Sequence, residues 1–489
     1  MELEWLWLSL AAFLGGYVFV FGFLRNVNEW YYVCKQGKKQ YPLPPGDMGW
    51  PLLGNLITFM RTFRSGDPDS FINNLISRYG RTGIYKTHLF GNPSIIICMP
   101  EICRQVLVDD QTFKYGYPKT TLLLTGKRSF HSLSNAEHKR LRRLTIAPIT
   151  GHHALAMYID RIEDIVINSL EEWASMYHPI ELFKETKKIS FKVITHIFMG
   201  SKSDSVIKAV DNLFGDLHNG LISIPINIPG FTFHKALKAR KKLVSILQSF
   251  VEKRRVMMRS EKYEEKKDMM DKLLVVEDED GRKLEDEEII DLLLLFLLAG
   301  HDSSALGMLW STIYLTENPE FLQKAKEEQE EIIRRRSSTR DRLNLTEIRQ
   351  MVLLSKVIEE TLRRTNILFS IFREANIDVN INGYTIPKGW KVLIWSRGVH
   401  MDPEIYANPL EFNPTRWNNN NAKVGSYLPF GAGSRLCPGS DLAKLEITIF
   451  LHYFLLNYKL ERTNPKCPWT YLPVPTPRDN CLAKVIKIP

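Results

Sequence analysis

The pattern of apolar and polar positions divides the 489-residue chain into an apolar head, a stiff connector and a long stretch of mixed periodicity. The head is "WLWLSLAAFLGGYVFVFGFL", residues 5 to 24, which carries no charge. At 1.5 Å rise per residue, about twenty residues span a hydrocarbon core of roughly 30 Å. Glu2 and Glu4 precede the run, and Arg25, Lys35, Lys38 and Lys39 follow it. A cleaved signal peptide has a basic start and a shorter apolar core. The flanks therefore predict an uncleaved anchor with the rest of the chain on the cytosolic side. In the connector that follows, Pro42, Pro44 and Pro45 fix φ and exclude helix.

Beyond the connector, the helical period predicts helices over 69–79, 136–148, 155–176, 235–260, 285–316, 318–336 and 346–364, and another after Cys437. Alternating β-rich runs predict strands within 82–98 and 377–397, with a hairpin turn at Asn382-Gly383. Two charge-dense stretches, 261–288 and 334–342, are expected to be exposed. No repeat and no second linker interrupts this part, so a single large, mainly α domain with small β-sheets is expected.

Composition narrows the choice only slightly. Hydrophobic residues at 44% and charged residues at 25% are those of a folded protein, not a disordered one. A net charge of +10 with no basic tract interleaved with aromatics gives no nucleic-acid footprint. The six cysteines are scattered, with neither zinc nor CxxC spacing, which suits a reducing compartment.

One cysteine has unusual neighbours. In "FGAGSRLCPG", residues 430 to 439, glycines allow tight turns and close approach of a flat ligand. Freed backbone N–H groups and a following helix start are expected to lower the Cys437 thiol pKa. Such a site suits a metal that takes one thiolate, as haem does. Taken alone, the stretch also fits a buried structural cysteine in a glycine turn. A dinucleotide fingerprint is excluded, because no strand–turn–helix unit surrounds it.

The stretch resembles the haem-binding loop of cytochromes P450, with Phe430, Gly433, Arg435, Cys437 and Gly439 at the family's positions. Three further stretches resemble the family in order. "EETLRR" and "FNPTRW" supply Glu360, Arg363 and Arg416, which the resemblance makes a structural triad holding the haem loop. "LLAGHDSSALGMLW" resembles the oxygen-activating helix. There Gly300 is expected to loosen the helix and make room, while Asp302 and Ser303 relay protons, with Ser304 able to share the task. Serine stands at 303 where the family usually has threonine, so the hydroxyl remains without the methyl that stiffens χ1. The resemblance also places Arg435, Arg373, Arg142 and His138 at the haem propionates.

The resemblance implies a cytochrome P450 fold with an anchor over 1–25, a linker over 26–45 and a haem-thiolate monooxygenase domain over 46–489. It implies haem b on the Cys437 thiolate, electrons from NADPH through a reductase, and a single-pass place on the endoplasmic reticulum membrane. Within the family, "DPDSFI", "FGNPSII", "SNAEHKRLRR" and "DLAKLEI" are similar to the plant ent-kaurenoic acid oxidase and β-amyrin oxidase clan. A polycyclic terpenoid substrate is expected, a triterpene before ent-kaurenoic acid, in a pocket walled by 113–130, 217–232, 293–303 and 365–373. A haem-thiolate isomerase or dehydratase that uses no oxygen has no need of Asp302 and Ser303. A silent scaffold has no need of a complete haem site.

Overall fold

Where the helical period is strong, helices form: Asp69–Tyr79, Asn135–Ile146, His152–Ser175, Thr232–Met258, Asp286–Glu317, Pro319–Arg334 and Ser440–Asn457. The computed structural model describes residues 2–37, 39–200, 204–259, 268–336, 342–418, 423–472 and 474–488. The helix expected over 346–364 is two, Leu345–Gln350 and Val352–Thr365. Met351 breaks it at ψ 65°, and the Glu328 carboxylate accepts the freed N–H groups of Leu353 and Leu354 at 2.6 and 3.0 Å. A side chain from a neighbouring helix thus caps the second one, which no local period announces.

Charge density also misleads within 261–288. Residues 261–267 lie outside the described residues, but Met269–Val275 is a helix with Met269, Met270, Asp271 and Leu273 buried. The reason is Arg254, which holds Asp268 at 2.8 Å and Asp271 as well. In the other stretch, 337–341 lie outside the described residues; Arg334, Arg335 and Arg342 are exposed as expected, and Arg336 is half-buried against Glu347 at 2.7 Å.

The chain forms two compact units. The first comprises residues 1–116, 369–399 and 424–426. Its six-stranded sheet runs Gly46–Asp47, Ile84–Leu89, Asn92–Ile97, Lys391–Ile394, Ile371–Ala375 and Phe113–Tyr115, with Ile84–Leu89 antiparallel to Asn92–Ile97. Asn382 and Gly383 both have positive φ, 48° and 78°, in the turn between Val379–Ile381 and Tyr384–Ile386. The proline connector is pinned to this unit: the carbonyl of Pro42 accepts from Thr385 N–H, and that of Pro45 from Lys86 N–H, both at 2.9 Å. The apolar head is helical over Glu2–Tyr17 and continues as a π-helical turn over Val18–Phe23. Trp5, Trp7, Phe13 and Tyr17 on it are exposed.

The second unit, residues 117–368, 400–423 and 427–489, is built around Asp286–Glu317, here called the central helix. Among the described residues it is the one helix long and apolar enough to cross a membrane, and it is mostly buried inside the protein. A helix apolar on every side is the core of its domain. Helices Leu182–Met199, Thr232–Met258, Val352–Thr365 and Ser440–Asn457 pack around it. The Thr120 and Thr121 hydroxyls, in helix Lys119–Thr125, both donate to the Leu221 carbonyl, at 2.7 and 2.8 Å.

The helix does not loosen at Gly300; it runs unbroken through it. The missing side chain instead admits helix Leu182–Met199. A Cβ at 300 would lie 2.8 Å from Ile194 Cγ2. This sets an expectation whose sign depends on the neighbour. Gly300→Ala should lower the unfolding temperature, because overpacking costs about 1–3 kcal/mol against roughly 1 kcal/mol gained in helix propensity. In an Ile194→Ala background the same change should raise it. A thermal-unfolding cycle of the four proteins checks this, and equal effects in both backgrounds would remove the steric account.

Candidate active site

The loop before helix Ser440–Asn457 is shaped by two glycines in left-handed conformations, Gly431 at φ 77° and Gly433 at φ 74°. The N–H of Cys437 donates to the Phe430 carbonyl at 2.9 Å, closing the loop around one short 3₁₀ turn, Gly433–Arg435. The thiol of Cys437 accepts the Gly439 N–H. Burial pushes this thiol above its ordinary pKa, and the Gly439 N–H and the Arg142 charge offset only part of that. The lowering expected from the loop and helix start is therefore overturned: the loop offers too few dipoles to outweigh desolvation. A metal cation held by Cys437 would supply what is missing, because coordination favours the thiolate over the thiol.

Arg142 donates to the Leu436 carbonyl at 2.7 Å, so it reaches the same loop. Arg435 is buried and bonds Asn135. His138 is buried edge-on to Phe130. Arg373 belongs to the first unit, where it is buried on strand Ile371–Ala375 over the Tyr115 ring. Of the basic cluster beside Arg142, Arg140 is held by Asp278 at 2.5 Å and Arg143 by Glu279 at 2.6 Å, leaving Lys139 exposed.

Glu360, Arg363 and Arg416 are brought together. Arg363 Nε and Nη2 grip the Glu360 carboxylate at 2.9 and 2.8 Å, and Arg416 Nε adds a bond at 3.0 Å. Trp417 Nε1 and the Asn413 N–H complete the shell, each at 3.1 Å. Glu360 and Arg363 have no solvent exposure. Trp417 went unnoticed in the sequence, although it directly follows Arg416.

The central helix carries the third part. From Glu288 to Leu315 every residue is buried except Ala299, Gly300 and Ser303. Spacing i, i+1, i+4 puts these three on one face, so they form a single window in an otherwise packed helix. Ser303 Oγ donates back to the Ala299 carbonyl at 2.7 Å. Asp302 points elsewhere: Lys187 Nζ lies 2.8 Å and His301 Nδ1 2.6 Å from its carboxylate, with His218 Nδ1 at 3.1 Å. His301 Nε2 meets Asp211 at 2.7 Å. Burial alone would raise the Asp302 pKa, but the His301 hydrogen bond and the surrounding cations hold it well below the usual carboxylate range. Burial opposes charge on His301, yet Asp211 and Asp302 outweigh it and hold that imidazole above its ordinary range. Burial keeps His218 below its range, so His301 and Lys187 are the cations. No hydrogen bond joins Asp302 to Ser303. Ser304 is buried and faces Glu446 of the Ser440–Asn457 helix.

These residues fit haem. Among the described residues no three of His, Cys, Asp and Glu gather to cage a bare metal ion. A single half-buried thiol with an N–H donor instead suits a metal whose in-plane ligands come with it. Buried Arg435 beside the thiol suits an anionic group on such a ligand.

Comparison with known proteins agrees. Residues 44–478 match the cytochrome P450 family. β-Amyrin 11-oxidase of Glycyrrhiza uralensis is 62% identical, over 100% of this chain and 99% of that one. 7,8-Epoxymelianol synthase of Citrus sinensis is 57% identical over 100% of both. Ent-kaurenoic acid oxidase 2 of Arabidopsis thaliana is 52% identical over 95% of this chain and 94% of that one. A retinoic acid-bound cyanobacterial cytochrome P450 superposes with TM-score 0.83 at 25% identity, covering 92% of this chain and 100% of the other. The chain belongs to the cytochrome P450 family. It is a haem-thiolate monooxygenase, using dioxygen and electrons from NADPH delivered through a reductase.

Two outcomes are expected. Glu360→Ala leaves two arginines without their buried anion and should cost about 3–5 kcal/mol; little haem-loaded protein should accumulate, measured by haem absorbance per chain. The His301 contact gives a pH signature. A raised histidine pKa stabilises the fold fully below the unfolded value of about 6.5, and that stabilisation is lost as pH rises through the folded value. The unfolding-temperature gap between wild type and His301→Gln should thus be widest near pH 6 and shrink on the alkaline side. A pH-independent gap would remove the charged contact.

Proposed function

We propose that this protein oxidises a polycyclic terpenoid, a triterpene skeleton of the β-amyrin type, in plant specialised metabolism. The observation that carries the reading is the window of Ala299, Gly300 and Ser303 in the buried central helix, together with the likeness to β-amyrin 11-oxidase. Ala299 and Ser303 leave width there for a broad, rigid hydrocarbon, while the space beside Gly300 is filled by Ile194. Helices Lys119–Thr125 and Asp204–Gly220 pack against each other, and the first also meets the central helix, which supports 117–130, 217–232 and 293–303 as pocket walls; residues 113–116 lie in the first unit. Residues 369–373 of the last expected wall lie in the first unit.

In this reading Cys437 holds haem b through its thiolate, with Phe430, Gly433 and Gly439 shaping the loop. Arg435, Arg142, Arg373 and His138 serve the propionates. Held there, haem would supply dioxygen activation, with one oxygen atom entering a substrate C–H bond and the other leaving as water. That requires two electrons and two protons in a site closed to bulk water. Glu360, Arg363 and Arg416 keep the loop in place and take no part in the chemical step. Asp302, held ionised by Lys187 and His301, cannot itself store a proton at neutral pH; it accepts one only in transit. Ser303 and Ser304 are the hydroxyls on the route. The enzyme sits on the cytosolic face of the endoplasmic reticulum, held by residues 5–24, whose exposed tryptophans and phenylalanines suit lipid better than water.

Ent-kaurenoic acid is the competing substrate, because the ent-kaurenoic acid oxidases align with nearly the whole chain. Expression in microsomes with a plant reductase, fed β-amyrin-type triterpenes and ent-kaurenoic acid side by side, decides between them. Oxygenated triterpene is expected, and product from ent-kaurenoic acid alone would overturn the assignment. In the same system, Cys437→Ala should abolish the thiolate-type band of the reduced carbon monoxide complex; a surviving band would transfer the ligand role elsewhere. Removing residues 1–25 should release much of the chain from the membranes.

A further inference from the structure

Asp291 lies near the start of the central helix and is buried at 2% exposure. Its two carboxylate oxygens go to two different segments. Oδ2 accepts the Arg128 N–H at 3.0 Å, and Oδ1 accepts from Arg240 Nη2, on helix Thr232–Met258, at 2.7 Å. Among the described residues Asp291 is the one partner of the Arg240 side chain, whose Nε is buried without another. Gly126 passes so close that a Cβ there would fall within the carboxylate itself, and its φ of 102° would strain any side chain. An ion pair that served stability alone would need only Arg240. The glycine that admits the acid and the loop N–H that binds it are superfluous to such a pair.

The loop held in this way is compact. The Gly126 carbonyl accepts from the Ser129 and Ser132 hydroxyls at 2.9 and 2.8 Å, and the Phe130 ring stands 5.9 Å from that of Phe296 on the central helix. Immediately before the loop, helix Lys119–Thr125 is joined through Thr120 and Thr121 to the Leu221 carbonyl. Asp291 is therefore the point at which the walls 117–130 and 217–232, and the helix that follows the second, are tied to the wall 293–303. Burial pushes its carboxyl above the ordinary range, and the Arg128 N–H and Arg240 pull against that. The carboxylate thus depends on both partners, and loss of either weakens its hold on the other.

We propose that Asp291 is the clasp that holds the loop of residues 126–132 closed beside the substrate, and so decides how a polycyclic terpenoid is placed against the window of Ala299, Gly300 and Ser303. It acts through the loop, as a positioning and selectivity-determining residue, and does not touch the reacting atoms. A fixed wall admits one orientation of a flat, rigid skeleton. A loosened wall admits several, and the C–H bond presented for reaction is then no longer unique. The assignment rests on the terpenoid reading above and adds to it which residue fixes the wall.

The test uses full-length, haem-loaded protein with reductase. Lys127 and Arg128 are exposed, so trypsin reports opening of the loop directly. In Asp291→Ala, Gly126→Ala and Arg240→Gln, cutting after residues 127 and 128 should quicken about tenfold or more, the scale of a lost hydrogen bond to a charged group. Cutting after the exposed Arg334 and Arg335 should keep its wild-type rate, and the thiolate-type carbon monoxide band its height. With a β-amyrin-type triterpene, the three variants should raise KM more than they lower kcat and spread oxygenation over more carbons than wild type. Arg240→Lys keeps the cation and should return both readouts part of the way. Wild-type cutting of the loop in Asp291→Ala, or a loosened loop with the KM and product pattern of wild type, overturns the proposal. Faster cutting at every site marks a merely structural ion pair and overturns it as well. If Asp291→Ala fails to load haem, Arg240→Gln decides on the same readouts. A wild type that oxygenates no terpenoid while the trypsin pattern holds removes the substrate reading, and with it the role given to the clasp.

Discussion

A single carboxylate without solvent exposure sets the order of the second unit. Glu360 accepts from Arg363, Arg416, Trp417 and the Asn413 N–H, and a charge so placed has no alternative partner if any of them leaves. Arg363 carries the constraint onward through its remaining N–H groups, to the carbonyls of His400 and Pro409 at 2.7 and 2.8 Å. His400 Nε2 takes the Leu428 N–H at 2.9 Å. The Leu428 carbonyl then takes Gly431 N–H, and Phe430 takes Cys437 N–H. An unbroken chain of hydrogen bonds thus runs from a helix carboxylate to the backbone of the thiol loop. A buried charge is weak evidence for stability, but here it fixes position: each donor is directional, and together they tie helix Val352–Thr365 to the segment Asn413–Trp417.

The central helix separates two acids by environment. Asp302 turns towards a lysine and an imidazolium and stays charged. Among the described residues Glu446 faces only the hydroxyls of Ser304 and Ser190, and burial pushes its carboxyl up to about 7. Two carboxyl groups near one turn of helix are thereby given opposite protonation states by what surrounds them, which is how a fold without exotic residues assigns donor and acceptor roles.

Much of this was legible in the chain. Strong periods placed the long helices to within a few residues, because burial of one face fixes both period and extent. The acid–arginine pair was legible for the same reason, since i, i+3 spacing puts both groups on one helix face. What stayed hidden depended on partners distant in sequence. Lys187, His218 and Asp211 lie about a hundred residues from Asp302, and nothing local marks them. Glu446 was visible within "DLAKLEI", yet that it is buried and unpaired depends on Ser190 and Ser304. The Cys437 environment was misjudged because loop dipoles can be counted from sequence, whereas desolvation cannot. Gly300 was misjudged similarly: the room it makes is taken by Ile194, a residue of another helix.

The two threonine hydroxyls on the Leu221 carbonyl have a mechanical consequence. A carbonyl oxygen has two lone pairs, and Thr120 and Thr121 occupy both. Helix Lys119–Thr125 and the end of helix Asp204–Gly220 are therefore riveted together and travel as one piece. Any opening that admits a rigid polycycle has to bend elsewhere. The segment between Leu221 and Thr232, where helix Thr232–Met258 begins, is the available hinge: it has no helix or strand of its own, and Ile224, Ile228 and Phe231 stand exposed along it. The width of the entrance would then be governed by the loop of residues 222–231, while the wall beside it keeps its shape.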